Sequence, residues 1–315
     1  TLLFADELKA NVTDWFIFKN KVEVKNVQLC DAVINLNRSD SIWNYQFLVD
    51  FFITGKSKKT DKKDLAIDVD EIHLCNIRIY KTDKWVGQDM LLSVKKMDLI
   101  FDTFDLSQKK ISFNSLVIDE PYFTQKSYTG NRPAYLKKPA GHAVSSNPNT
   151  LQWNAAGWQV AGKGIKLING VYANEKLNNK LPNTYFDGSH MVFSAINATL
   201  ENFSFLKDTL SAQINLQTNE RGGLQVKKLK AYFKFTPDIM EFSNLDLQTN
   251  KSRLGNYYAM HFNSFGKDMG NFIEKVTLEL HLKSSEVNSD DIAVFAPALK
   301  NWKKIFQISG DAKGT

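Results

Sequence analysis

The sequence has little of what a disulfide-stapled, membrane-spanning or metal-binding protein needs. Only two cysteines, Cys30 and Cys75, occur in 315 residues, which is too few for a disulfide scaffold and not the spacing of a metal site. Free, packed thiols are the default interpretation, since equivalent strands of a repeat need not be neighbours. No run of residues approaches the roughly 20 apolar residues that span a bilayer. We therefore expect no membrane-anchor helix, no metal and no other cofactor in this segment.

Catalytic motifs are also missing. There is no nucleophile elbow, no phosphate-binding loop and no dinucleotide fingerprint after a strand. The five histidines are isolated from one another in the sequence, and His73 and His281 fall at wet positions of predicted strands. Carboxylate pairs such as Asp68 and Asp70 can act as acid and base in glycoside hydrolysis, but these two alternate with apolar neighbours and so occupy an outward face. The sequence predicts no enzyme.

What the chain does have is apolar material and a basic balance. Hydrophobic residues make up 43% of it, with 22 phenylalanines, and the net charge is +6. A basic chain can favour anionic lipid headgroups or nucleic acid. Nucleic-acid binding needs basic and stacking aromatic side chains on one face, whereas Phe233 and Phe235 point away from the neighbouring lysines of their strand. No nucleic-acid partner is expected.

The dominant period of the sequence is two. In the run 229–235, Leu229, Ala231, Phe233 and Phe235 alternate with lysines and Tyr232. The same alternation recurs in the runs 210–216 and 276–282. Because side chains of a strand point alternately to its two faces, these runs predict half-buried strands of an antiparallel sheet.

A longer repeat lies beneath this alternation. The run Val22–Cys30 matches Ile67–Cys75 with an offset of 45 residues, and Ile111–Asp119 follows 44 residues later. The runs 162–167 and 242–247 repeat parts of the pattern. In each copy two apolar positions of one parity precede two of the other, which predicts a bulge or bend within the strand. Such a repeat indicates stacked units that share one apolar face.

Helix signals and loop composition divide the chain. One amphipathic helix is predicted near 41–53 and a second near 290–304, where Pro297 should kink or split it. Residues 125–150 break the alternation and predict a loop or insertion. The expected organisation is a first β-segment at 1–124, this loop, and a second β-segment at 151–315. The expected fold is all-β: an elongated, curled antiparallel sheet forming a repetitive β-groove, with two short amphipathic helices.

The alternation does not say what covers the apolar face. A second layer of strands or the two helices would give a plain β-sandwich binding module. A curled sheet that stays open would instead form a channel for acyl chains. The residues predicted to line that channel are Val69, Ile72, Leu74, Ile79, Phe113, Leu116, Ile118, Phe233, Phe235, Leu245, Leu247, Leu278 and Leu280.

Several stretches resemble TamB-like proteins of the AsmA-like superfamily. The stretch 290–299, followed by 308–314, is similar to that family's "DL-x-x-F-x-P-x-L … L-x-G-x-x-x-G" junction. The stretch 43–50 looks like its "W-N-x-x-F-L-x-D" helix, and 249–254 looks like its "T-x-x-S-x-L" step. The strands beginning at Ile67 and Ile111 look like its "I-x-I-x-x-I-x-L" strands.

The resemblance implies a fragment of a longer protein that is anchored in the inner membrane of a Gram-negative cell and crosses the periplasm as a β-groove. It implies a conduit for phospholipid or another amphipathic cargo between membranes. The alternative is a scaffold for outer-membrane protein translocation and assembly with a BamA-like barrel. The family's anchor helix and barrel-binding module have no counterpart in this sequence, so the resemblance does not locate membrane or partner contacts.

Overall fold

The computed structural model describes residues 2–12, 21–54, 66–136, 151–180, 184–269 and 272–315. Fourteen strands form one sheet, which confirms the predicted all-β fold with an elongated, curled sheet. The strands are β1 Leu3–Val12, β2 Lys21–Arg38, β3 Ala66–Asp83, β4 Gln88–Asp105, β5 Lys110–Asp119, β6 Tyr122–Ser127, β7 Gln159–Lys176, β8 His190–Leu206, β9 Thr209–Glu220, β10 Gln225–Phe235, β11 Ile239–Gln248, β12 Arg253–His261, β13 Thr277–Asn288 and β14 Ile305–Gly314. The described strands therefore do not divide into the two packed sheets of a sandwich.

Neighbouring strands are antiparallel except at three pairings. β2 runs parallel to β3, and β7 runs parallel to both β5 and β6. β5 and β6 share one position between β4 and β7 and are interrupted near Pro121, which has no amide hydrogen to donate. The predicted segments 1–124 and 151–315 thus contribute strands to the same sheet. Residues 137–150 of the expected loop at 125–150 lie outside the described residues.

The 45-residue repeat of the sequence is the register of the parallel pair β2 and β3. Lys21 lies beside Ala66, and this offset holds to the ends of both strands. Cys30 and Cys75 are therefore direct partners, with Cα atoms 4.6 Å apart, and they form a disulfide. The expectation of free thiols was wrong, because a crossover connection between parallel strands brings equivalent positions side by side.

Bulges interrupt the strands, as the changes of parity predicted. In β8 and β11, Asn202 and Asn244 adopt left-handed φ angles of 53° and 52°, a conformation that Asn tolerates better than most residues. We call these two positions the first bulge row. The second bulge row crosses β2 to β8 and consists of Asp31, Asn76, Glu120, Asn169 and Ala195. Each bulge reverses the parity of the strand, so that apolar residues three apart stay on one face.

The first predicted helix is present but begins later than its sequence signal. α1 spans Gln46–Thr54, not 41–53. Asn44 explains the difference, because its side chain donates to Asn35 O at 2.7 Å and accepts from Asn37 N at 3.0 Å. These bonds hold the residues before α1 against the end of β2.

Three further helices are single turns: α2 Phe265–Asp268, α3 Phe272–Lys275 and α4 Ser289–Ile292. The helix predicted at 290–304 is wrong in extent, because α4 is followed only by a 3₁₀ turn at Pro297–Leu299. Ser289 and Lys304 are hydrogen-bonded to each other, backbone to backbone at 2.9 Å and through Ser289 Oγ at 3.0 Å. The segment between β13 and β14 is thus a closed loop. No helix in the described parts of the chain has the length and apolarity to cross a membrane.

Candidate functional site

The two faces of the sheet differ in polarity and exposure. In β9, which has no left-handed residue, Ile214 and Leu216 are half-buried while Asn215 and Gln217 are exposed. We call the face of Ile214 and Leu216 the apolar face, and the opposite one the polar face. Strand pairing carries both faces across the sheet, because directly paired residues lie on the same side.

On the apolar face, paired residues form continuous rows that run across the strands. The first row contains Leu8, Leu29, Leu74, Met97, Ile118, Leu167, Ala198, Leu216, Leu229, Leu247 and Leu254. The second contains Ala10, Val27, Ile72, Leu99, Leu116, Ile165, Leu200, Ile214 and Ala231. The third contains Phe104, Ile111, Val160, Phe205, Leu210, Phe235, Met240, Met260 and Leu278. The fourth contains Leu3, Ile34, Ile79, Leu92, Phe123, Tyr172 and Phe193.

All thirteen residues predicted to line a groove lie on described strands. Eight of them belong to the four rows: Ile72, Leu74, Ile79, Leu116, Ile118, Phe235, Leu247 and Leu278. Of the full set, Val69, Phe113 and Leu245 are 8%, 6% and 7% exposed, and the other ten are half-buried. The apolar face is therefore shielded by its own side chains but remains partly accessible along its length.

Phe113 lies flat against β7 because its neighbour there is Gly162. A Cβ atom at Gly162 would lie 2.1 Å from Phe113 Cε2. The ring instead reaches Phe203 of β8, with 6.3 Å between centroids. The run 162–167 repeats only part of the pattern because the glycine at this position leaves room for the ring of Phe113 on the neighbouring strand.

Aromatic side chains gather at the strand ends near Phe205 and Phe235, which we call the aromatic rim. The ring of Phe235 lies 4.7 Å from Trp153, 6.1 Å from Phe262 and 5.0 Å from Phe265, between centroids. Trp153 precedes β7 and Phe265 begins α2. Two connections thus reach over the same strand ends and cover the apolar face there.

Asp208, in the turn between β8 and β9, fixes the position of Trp153. Its carboxylate accepts the backbone N–H groups of Gln152, Trp153 and Asn154 at 2.6, 2.9 and 3.0 Å. Burial opposes ionisation of Asp208, but these backbone hydrogen bonds hold its pKa below the usual value. The Asp208 carboxylate, which holds Trp153 in place through these bonds, is therefore ionised at neutral pH.

The opposite strand ends, near Lys81 and Asn174, form what we call the lysine rim. Here Arg38 donates to Asp83 through Nε at 3.0 Å and through a terminal nitrogen at 2.5 Å. The guanidinium carbon lies 4.6 Å from the ring centroid of Trp43. Burial alone would raise the pKa of Asp83, but its bonds, above all that from Arg38, hold it below the usual value.

A contact between two loops crosses the lysine rim. Phe186 N donates to Val294 O at 2.8 Å, and the rings of Phe186 and Phe295 lie 5.2 Å apart. Phe186 precedes β8 and Val294 follows β13. This contact, which we call the strap, therefore spans the ends of the strands between β8 and β13. Gly222 packs beneath it, because a Cβ there would lie 2.7 Å from Phe186 N.

Asp291 joins two of the stretches that carried the family resemblance. Its Oδ2 accepts from Thr249 Oγ1 at 2.5 Å, from Ser252 Oγ at 2.7 Å and from Lys251 N at 3.0 Å. Ser252 Oγ in turn accepts from Asn288 N at 2.9 Å. The "T-x-x-S" step and the "D" of the junction are thus one buried hydrogen-bond unit that ties the β11–β12 turn to α4.

His73 and His281 lie on the polar face, as predicted, and so does His261, but they are not solitary. His261 and His281 share Glu279, at 2.8 and 3.0 Å, and His281 also meets Asp311 at 2.8 Å. Lys313 Nζ lies 2.7 Å from Glu279. In the described residues, no group of three or more histidine, cysteine or acidic side chains is arranged to hold a metal ion.

The polar face also carries depressions along the second bulge row. One, of about 520 Å³, is lined by Asn76, Arg78, Lys95, Glu120 and Tyr122 among others. Lys95 and Glu120 lie 2.7 Å apart across it, so these two charges pair with each other. Neither Lys95 nor Glu120 is therefore free to bind a ligand there.

Sequence reasoning missed the residues that close and tie the ends of the sheet. Trp153 lies next to a loop-like segment, and Asp208 is one acidic residue among many. Asp291 had a local signal, since it stands at a helix start, but its partners are 39 to 42 residues earlier. Only a prior pairing of the strands could have brought these positions together.

No protein-family model, no curated protein and no solved structure matches the chain.

Proposed function

We propose that the chain is a segment of a conduit that moves phospholipid between membranes along the apolar face of its sheet. The observation that carries the proposal is the set of continuous apolar rows, which remain partly exposed between the two rims. An enzyme would need polar side chains to converge there, and the rows contain almost none.

The dimensions of the apolar face suit a series of acyl chains. The first row crosses eleven strands, which at about 4.8 Å per step gives a length of about 48 Å. Each methylene that leaves water for such a surface contributes about 0.8 kcal/mol. Lipid would thus supply the missing half of the hydrophobic core.

The proposed location is the periplasm of a Gram-negative cell, with an anchor outside this sequence. The resemblance to TamB-like proteins supports it. So does the Cys30–Cys75 disulfide, since disulfides form and persist mainly in oxidising compartments.

The test is a charge placed in the first row. We expect Leu247→Glu to reduce photocrosslinking of a photoactivatable phospholipid several-fold without unfolding the protein, because an ionised carboxylate on the row must be desolvated by the acyl chain. The matched control is Gln248→Glu, the next residue, which points to the polar face. Unchanged crosslinking in Leu247→Glu would contradict the proposal.

A second candidate is a scaffold for outer-membrane protein translocation and assembly with a BamA-like barrel. β14 favours it: all ten of its residues are exposed, and it pairs only with β13 among the described strands. Such an edge can accept an added strand. Co-purification of a barrel precursor without lipid would favour this candidate over the conduit.

A further inference from the structure

The apolar face becomes partly polar at the row next to the fourth one. The next paired residues towards the lysine rim are Leu36, Lys81, Met90, Gln125, Asn174 and Met191. A cation and two amides therefore follow a row of Ile79, Leu92, Phe123 and Tyr172. The third row, beside the aromatic rim, holds no polar side chain. The face is thus apolar for most of its width and polar at one side only.

Lys81 differs from the other cations near it. Its Nζ donates to Gln88 Oε1 at 3.0 Å and lies 3.8 Å from Met90 Sδ and 5.8 Å from the ring centroid of Trp43. No carboxylate of a described residue lies within ion-pair distance of it. Arg38, by contrast, is paired with Asp83.

Two lysines of the polar face near Lys81 are paired with carboxylates. Lys95 lies 2.7 Å from Glu120, and Lys126 lies 3.6 Å from Glu175. Lys81 is half-buried on the apolar face. Asp83, with which it interacts electrostatically, already forms an ion pair with Arg38, so the ammonium can still bind an anion. Gln125 and Asn174 are also half-buried, and their side-chain amides have no partner among the described residues. Lys81, Gln125 and Asn174 lie along one row within three strand steps, about 14 Å, so the row offers one cation and two amides to lipid headgroups that lie side by side.

We propose that Lys81 binds the phosphodiester group of a phospholipid whose acyl chains lie on the apolar face, and that the side-chain amides of Gln125 and Asn174, further along the same row, bind the headgroups beside it. The inference rests on the proposed function. On β3 the apolar residues from Ile79 back to Ile72 extend away from Lys81 over about 25 Å, enough for an acyl chain. Lipids would then lie side by side with headgroups at the lysine rim and tails towards the aromatic rim.

The experiment compares two lipids with the same tails, dioleoylphosphatidylglycerol and dioleoylglycerol, bound to the purified protein from micelles and measured by native mass spectrometry. Lys81→Met should weaken phosphatidylglycerol binding about tenfold, because it removes a charge-assisted hydrogen bond, and should leave dioleoylglycerol binding unchanged. Lys81→Arg should retain most of the binding. The matched control, Lys126→Met, removes the same charge at the same rim on the polar face and should change neither.

The outcomes separate the two proposals. If the native protein binds neither lipid, the conduit is wrong, and the headgroup site with it. If it binds both but Lys81→Met leaves the preference for phosphatidylglycerol intact, or weakens both lipids equally, only the headgroup site is wrong. Inorganic phosphate at the same concentration as the lipid should not compete; competition would show a site for free phosphate instead.

Discussion

The sheet has a wide part, β2 to β8, and a narrow part, β9 to β13. β2, β3, β4 and β7 have 18 residues and β8 has 17, while the narrow part has strands of 9 to 12 residues. At about 3.3 Å per residue the strands measure about 59 Å against 30 to 40 Å. The second bulge row crosses only the wide part.

The two parts also differ in how much of their apolar surface is covered. In the narrow part, Trp153, Phe265 and the strap at Phe186 cover the strand ends, and Asp291 ties a turn from within. In the wide part, Leu92 and Tyr172 of the fourth row stay exposed. The apolar face is thus covered by connections at the strand ends of the narrow part, whereas the fourth row of the wide part is open to a ligand.

The disulfide should give the largest effect, and only in the wide part. Among the described strands, the β1–β2 hairpin joins the sheet only through β3, and Cys30–Cys75 closes a 45-residue separation there. The double variant Cys30→Ser, Cys75→Ser should lose about 4 kcal/mol of stability on the loop-entropy model. Hydrogen exchange should show faster exchange in β1 and β2 while β9 to β13 keep their protection. Equal loss in both parts would break the comparison.

Asp291 should be the corresponding weak point of the narrow part. Asp291→Ala leaves Thr249, Ser252 and an amide without their shared acceptor, and we expect a loss of about 3 kcal/mol in urea unfolding. The neighbouring Asp290→Ala is the control, because Asp290 makes only an exposed pair with Lys251 and should cost less than about 1 kcal/mol. Similar losses for the two variants would show that the buried unit does not hold the turn.

A smaller, pH-dependent effect is expected where β14 joins β13. Asp311, and then Glu279, raise the pKa of His281 above 6.5, so its stabilisation is complete below that pH and is lost as pH rises through the raised pKa. Lys313, then His261 and His281, lower the pKa of Glu279 from 4.5 to about 2. Its stabilisation is therefore complete above pH 4.5 and is lost as pH falls towards 2.

The pairing of β14 with β13 should therefore be most stable between pH 4.5 and the raised pKa of His281. Hydrogen exchange of β14, corrected for intrinsic rates, should accelerate a few-fold from about pH 5.5 to about pH 8.5, near and above the titration of histidine. The amides of β9, which is not part of this cluster, provide the internal control. If the exchange rate of the β14 amides did not change with pH, His281 would not stabilise the pairing of β14 with β13.

The sequence predicted what depends on local pattern. Alternation identified the strands, and the parity change around Asn244 predicted a bulge there. The 45-residue offset between Cys30 and Cys75 turned out to be the register itself. These features follow from side-chain direction along one strand, which the order of residues determines.

Connectivity and closure could not be predicted in this way. Alternation is the same for a hairpin and a crossover, so the pairing of Cys30 with Cys75 was missed, although a helix between two matching strands is a signal for a parallel unit. Acidic residues before 290–304 and lysines near its end are typical of a helix, but Pro297 and the Ser289–Lys304 bonds turn the segment into a loop. Lys81 is one lysine among many until its row is known.

The central claim, that phospholipid occupies the apolar face, is tested most directly by a photocrosslinking amino acid placed at four successive positions of β7. Ile165 and Leu167 lie in the apolar rows, whereas Lys166 and Ile168 point to the polar face. With phosphatidylglycerol vesicles, crosslinks to lipid should form at 165 and 167 and not at 166 or 168, even though Ile168 is apolar. Equal crosslinking at all four positions, or none at 165 and 167, would contradict the account.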